Sequence, residues 1–206
     1  MKDEMDILRE VGKISAAHGS IALSEILGTT IELKMPNLNI VPCEGILSKV
    51  PQEQLMICVF SNILTGLRGQ VLFILNEKSA FKLIDMCYYS RSENTKNGLL
   101  TEMGLSTIKE IGSIVISSYV GALSIMSKRL IIPSIPTLVN GLMSEIITMA
   151  ISKHTGEEYV LLIEAIFKET REQIEGSFYL ILNSESMDQI RTACKNMLEE
   201  LEKNKK

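Results

Sequence analysis

From residue 4 to residue 27 the apolar side chains Ile7, Leu8, Val11, Ile14, Ile21, Ala22 and Ile26 recur at helical spacing, with good helix formers between them and no proline. That pattern predicts one long amphipathic helix, and Gly28 supplies its stop. Downstream the period changes. In TTIELKM, Ile31, Leu33 and Met35 alternate with Glu32 and Lys34, the two-residue period of a half-buried strand, while LMICVF (55–60) and QVLFIL (70–75) are continuous apolar runs of strand length. EKSAFKLIDMCYY (77–89) returns to helical spacing, and the polar stretch SRSENTKNG (90–98) reads as a linker. The remainder follows the same order: a helix from about 99 to 127, strands near 156–168 and 173–183, and a last helix from about 186 to 203. NGLMSEIITMAISKH (140–154) predicts an extra helix with no counterpart earlier in the chain.

The repetition of order is also a repetition of residues. EVGKISAAHGSIALS (Glu10 to Ser24) set beneath EIGSIVISSYVGALS (Glu110 to Ser124) coincides at Glu10/Glu110, Gly12/Gly112, Ile14/Ile114, Ala22/Ala122, Leu23/Leu123 and Ser24/Ser124. Composition alone accounts for about one such match. Pro36 answers Pro136 at the same offset, and GQVLFILNEKS from Gly69 answers GSFYLILNSES from Gly176. Neither half alone has enough strands and core, so the expected fold is a single domain over 1–206. Its class is α/β (α+β) with an internal pseudo-twofold: repeats at approximately 1–89 and 99–206, two long adjacent helices, and a sheet built from both halves. Gly12 and Gly112 sharpen this, because glycine inside a helix costs about 1 kcal/mol relative to alanine and implies a close approach there. Packing of one long helix on the other is the simplest source of that approach.

Composition narrows the function classes. The chain has 206 residues, 46% hydrophobic and 22% charged, with a net charge of -4 and no Lys/Arg cluster, which argues against a nucleic-acid surface. No run looks long and apolar enough for a membrane span, and the acidic, amphipathic MKDEMDILRE is unlike a secretory signal. A cytoplasmic protein with protein partners is expected. Cys43, Cys58, Cys87 and Cys194 form no CxxC and lie near no His pair, so reduced core thiols are expected. His18 and His154 have no Ser or Cys at motif spacing, phosphate-cradling glycine motifs are absent, and the terminal LEELEKNKK reads as a solvated helix end.

One side of each long helix is polar. Positions spaced four and three apart read Asp6, Glu10, Lys13, Ala17, Ser20 and Ser24 in the first copy, and Ser106, Glu110, Ser113, Ser117, Val120 and Ser124 in the second. A solvated face opposite a core stripe explains polarity in general. It does not explain why the same acid stands two residues before the same glycine in both copies.

The spacing of Asp or Ser, three residues, Glu, two residues, a further position, then 22 residues and Pro resembles the phosphatase signature of the CheC, CheX and FliY group of bacterial chemotaxis proteins. The frame occurs twice, as Asp6, Glu10, Lys13, Pro36 and as Ser106, Glu110, Ser113, Pro136. EVGKI and EIGSI look like the group's EIGNI. The two-copy layout is similar to CheC in length and order, longer than CheX, and without the extra C-terminal domain of FliY. The group's Asn, however, is Lys13 in one copy and Ser113 in the other.

The resemblance implies a substrate, the aspartyl phosphate of a CheY-type response regulator, and CheD as a further partner. It implies that Glu10 and Glu110, with Asp6 and Ser106, meet the regulator, and that positions 13 and 113 orient the attacking water. Mg2+ would be supplied by the regulator, so no cofactor of the chain's own is expected. Lys13 has donors but no acceptor and can pair with Glu10, whereas Ser113 keeps both functions on a shorter arm. Losing one positioning group costs about 10²–10³-fold in rate, or ~2.7–4 kcal/mol. Two readings stay open: a weak phosphatase using Glu110 and Ser113, with Glu10, or a catalytically silent binding module for the regulator or CheD.

Overall fold

The computed structural model describes residues 4–50, 53–89, 101–154 and 156–203. The predicted linker at 90–98 and the last residues of the LEELEKNKK tail lie outside the described residues. In chain order the first half forms α1 (Glu4–Leu27), β1 (Ile31–Leu33), β2 (Asn37–Pro42), a 3₁₀ helix (Cys43–Lys49), β3 (Leu55–Thr65), β4 (Gly69–Asn76) and α2 (Glu77–Tyr89). The second half forms α3 (Glu102–Ser127), β5 (Ile132–Pro133), β6 (Thr137–Leu142), α4 (Met143–Ile151), a 3₁₀ turn (Ser152–His154), β7 (Tyr159–Glu169), β8 (Ile174–Asn183) and α5 (Ser184–Lys203).

The extra helix therefore does have a counterpart. α4 stands between edge strand and hairpin where the first half places its 3₁₀ helix, and both cover the same sheet face, through Ile46 and Val50 on one side and Met143, Ile146, Ile147 and Ala150 on the other. CEGILSK carries Gly45 and only a short apolar run, too little to sustain an α-helix.

All strand pairings are antiparallel, so the α+β description applies. The order is β1 and β2 on β7, then β8, β4 and β3, with β5 and β6 on β3. Each half thus lends its edge strands to the hairpin of the other half, and the order reads the same from either edge. The join is the β4–β8 pair, in register from Gly69↔Leu182 to Leu75↔Gly176.

α1 and α3 pack against each other and against one face of this sheet, over a core that includes the aromatic group Phe73, Phe167 and Phe178, with ring centroids 5.0–5.8 Å apart. A Cβ on Gly12 would lie 2.6 Å from Cγ2 of Ile163, and one on Gly112 would lie 2.5 Å from Cγ2 of Val59. Ile163 and Val59 occupy matching places, opposite Leu38 and Leu138 of the borrowed edge strands. The glycines thus admit the sheet beneath them, not the neighbouring helix as sequence reasoning expects. The helix pair closes elsewhere, for example at Gly19, whose Cβ would meet Val115 of α3 at 3.6 Å.

Both copies end their elements alike. Ser24 and Ser124 donate to the carbonyls of Thr29 and Arg129, and Gly28 and Lys128 turn the chain with φ of 62° and 52°. Asn76 and Asn183 cap the following helices, accepting from the backbone N–H of Ser79 at 2.7 Å and of Ser186 at 3.0 Å. α3 also carries an 18-residue stretch apolar enough to cross a membrane, contrary to the sequence expectation; 56% of that stretch is buried inside the protein, as a core helix requires.

Two outcomes follow for stability. Gly112→Ala should destabilise by about 1–3 kcal/mol, because the new methyl overlaps Val59, whereas Gly121→Ala on the same helix meets nothing within 4 Å and should stabilise by up to about 1 kcal/mol. Urea unfolding reads both, and equal effects would refute the steric account. Residues 1–89 or 99–206 expressed alone should show no cooperative melt, since each hairpin then lacks its edge strands.

Candidate functional site

In the first copy the two acids of the frame already hold local cations. Arg9 Nη1 lies 2.8 Å from Asp6 Oδ1, and Lys13 Nζ lies 3.7 Å from Glu10 Oε1, with all four side chains 41–50% exposed. Exposed i,i+3 pairs of this kind stabilise by only about 0–1 kcal/mol. Their effect here is to place a positive charge next to each acid.

The second copy is different. Ser106 and Glu110 are exposed and Ser113 is half-buried, and neither Glu110 nor Ser113 bonds through its side chain to any of the described residues. Three residues apart on α3, they lie on adjacent turns with about 5–6 Å between Cβ atoms. A solvent-facing carboxylate therefore stands beside a hydroxyl with donor and acceptor capacity to spare. Pro36 is buried and Pro136 half-buried. Each follows the first edge strand of its half, where a missing N–H interrupts no ladder.

The polar stripe is shorter than its spacing predicts. Ser20 is buried and its hydroxyl has no partner, Val120 is 1% exposed, and Ser24 and Ser124 are spent on the helix ends. The helices approach one another where Gly19 meets Val115, and the repeated polar positions that stay open lie in their N-terminal halves. Sequence reasoning missed one feature of that surface. Ile114, one turn after Glu110 on the same side of α3, is 43% exposed beside Ser113 and offers an apolar contact at the edge of the polar group.

The other candidates are structural. His154 is buried, and its Nε2 lies 2.6 Å from Oε1 of Gln70, tying the 3₁₀ turn to β4; burial lowers its pKa and Glu157 opposes this. The four cysteines are free: Cys58 and Cys194 are core thiols as expected, whereas Cys43 and Cys87 are only half-buried, and burial raises each thiol pKa. Glu169 is buried too. Desolvation opposes its ionisation, yet hydrogen bonds from the backbone of Glu172 and Arg171 and from Thr29 hold its pKa below the ordinary carboxylate value.

No family model matches the chain. The CheY-P phosphatase CheC of Bacillus subtilis (strain 168) is 22% identical over 196 residues, spanning 93% of this chain and 94% of that protein. FliY of Thermotoga maritima superposes with a TM-score of 0.73 at 20% identity, over 95% of this chain and 98% of that one. One chain of the CheX–CheY–BeF3–Mg2+ complex from Borrelia burgdorferi superposes with a TM-score of 0.52 at 17% identity, over 84% of this chain and 97% of that one. Sequence likeness along nearly the whole chain, a shared fold and a twice-written helix frame are the respects in which this chain is similar to CheC of Bacillus subtilis and to FliY of Thermotoga maritima.

Proposed function

We propose that this chain docks on a phosphorylated CheY-type response regulator in the cytoplasm and hydrolyses its aspartyl phosphate slowly, with the second copy as the working site. The observation that carries this is the contrast between the two acids: Glu110 is exposed and unengaged among the described residues, whereas Glu10 has Lys13 at 3.7 Å. In this reading Glu110 meets the regulator's active-site lysine, and the Ser113 hydroxyl holds a water in line with the phosphorus. Water oxygen bonds to phosphorus and its proton passes to the released phosphate, the regulator's carboxylate departs with the electron pair of the broken P–O bond, and Mg2+ supplied by the regulator would offset charge on the phosphoryl group. The first copy adds docking contacts through Asp6 and Glu10 but has no acceptor at Lys13 to fix a water.

A second reading, a binding module without turnover, is favoured by the loss of the amide at both positions. Ser113→Asn separates the two. It should raise phosphate loss from a labelled regulator roughly 10-fold or more, since half of a ~2.7–4 kcal/mol positioning effect is that large. Lys13→Asn should give a smaller gain. Glu110→Gln should weaken regulator binding and hydrolysis together, by about 10-fold, because the charge that meets the lysine is gone. Variants that bind the phosphorylated regulator without accelerating hydrolysis would establish the binding module; no binding by parent or variants would leave the fold alone standing.

A further inference from the structure

The two hairpins of the sheet correspond position by position. Asn62 stands opposite Gln70 in the β3–β4 register, as Ile166 stands opposite Ser177 in the β7–β8 register, and the matching glycines Gly69 and Gly176 directly precede Gln70 and Ser177. Two positions further out, Lys168 stands opposite Glu175 and pairs with it at 2.6 Å. The same positions of the first hairpin hold Leu64 and Arg68. The exchange leaves Arg68 a cation without its acid, and its guanidinium bonds to none of the described residues.

Arg68 lines a cavity of about 400 Å³ with Asn62, Gln70, His154, Glu157 and Asn183. Gln70, His154 and Asn183 are only 3%, 5% and 2% exposed, and buried polar groups cost free energy unless each finds a partner. Here the partners run out. His154 Nε2 lies 2.6 Å from Gln70 Oε1; a carbonyl oxygen only accepts, so Nε2 carries the ring proton and Nδ1 is left as an acceptor. Neither Nδ1 nor the amide N–H group of Gln70 bonds to any described residue. Asn183 Nδ2 donates to Glu157 Oε1 at 3.0 Å, which fixes that carboxylate through one oxygen and leaves the other unused. Arg68 is anchored through its backbone, donating to Ser186 Oγ at 2.6 Å and accepting from Asn183 N–H at 3.3 Å. Arg68 and Glu157 line one cavity and form no ion pair with each other.

We propose that this cavity binds a free α-amino acid with a small aliphatic side chain. The lining carries one cation and one anion that do not neutralise each other, an unused N–H donor and an unused acceptor, and a zwitterion supplies the complement of all four. Its carboxylate accepts from Arg68 and from the Gln70 amide, its ammonium donates to Glu157 and to Nδ1 of His154, and its side chain meets Ile63 and Leu64, which also line the cavity. A simple anion would leave Glu157 unanswered, and a simple amine would leave Arg68 so. The volume falls within the range of about 300–1,000 Å³ common to small-molecule sites. The fold does not require this lining, since the other hairpin has Ile166 and Ser177 where this one has Asn62 and Gln70. Gln70 shares its face of the sheet with Leu72 and Ile74, the face opposite α3, so the ligand and a regulator at Glu110 do not compete for space.

The probe is L-leucine, titrated into the full chain by isothermal calorimetry. Kd should lie between ~10 µM and ~1 mM, a range open to a ligand of about nine heavy atoms. 4-Methylpentanoate, which lacks the ammonium, and 3-methylbutylamine, which lacks the carboxylate, should each bind at least ~10-fold more weakly. Arg68→Gln should lose at least ~10-fold in affinity for leucine, and Gln70→Ser, which copies the other hairpin, at least ~5-fold. Far-UV circular dichroism checks both folds, and Arg68→Gln, at an exposed position, decides the matter if Gln70→Ser fails to fold. The proposal is overturned if leucine binds neither by calorimetry nor by saturation-transfer NMR, which would make this a water-filled cavity. It is equally overturned if 4-methylpentanoate binds as tightly as leucine, the behaviour of a plain anion site, or if Arg68→Gln leaves the leucine affinity unchanged.

Discussion

The approach of Gly12 to Ile163 and of Gly112 to Val59 sets the rotation of both long helices, and most of the functional surface follows from it. A helix advances about 100° per residue, so the residue two positions before a glycine pressed on the sheet points about 200° away, toward solvent. Glu10 and Glu110 stand at that position. The repeated Glu-x-Gly is therefore one steric device: the glycine lowers the helix onto the sheet, and the acid is thereby raised off it. Any side chain at the glycine would roll or lift the helix and move the acid with it.

The sheet reinforces that placement. Ile163 and Val59 are each flanked by a hairpin partner of their own half and by an edge strand of the other, Leu38 opposite Ile163 and Leu138 opposite Val59. Each helix in turn rests on a strand of the other half. The two acids are thus carried by one framework while the residues around them differ: cations beside Asp6 and Glu10, an unengaged hydroxyl beside Glu110, charge on one outer edge and leucine on the other. The framework tolerates this because the differing side chains sit on the exposed side, where substitutions usually cost less than about 0.5 kcal/mol.

What could be read in the sequence follows the range of the interactions. α1 and α2 have the predicted bounds because helical periodicity is local, and the Lys13–Glu10 pair was predictable because it spans three residues of one helix. β2 and β6 escaped notice. NLNIVP and TLVNGL lack clean alternation and become strands only by pairing with β7 and β3, more than 75 residues away in sequence. The same limit explains the glycines: the sequence shows that something approaches them, but which surface it is depends on the tertiary fold. It also explains Ser20, whose position on a helix says nothing about where a neighbouring helix closes over it.

Magnitudes decide what would limit turnover under the proposed function. The ion pair that occupies Glu10 is exposed and weighs about 0–1 kcal/mol, so an incoming regulator lysine can displace Lys13 at little cost. A missing water-positioning amide weighs ~2.7–4 kcal/mol. The substitution at position 13 therefore matters less for the pair it forms than for the acceptor it lacks, and the two copies differ in degree: Ser113 retains an acceptor where Lys13 has none. A site with its docking acid free and its water held by a short hydroxyl binds well relative to how fast it turns over. Under the proposed function, such a chain prolongs its contact with the phosphorylated regulator.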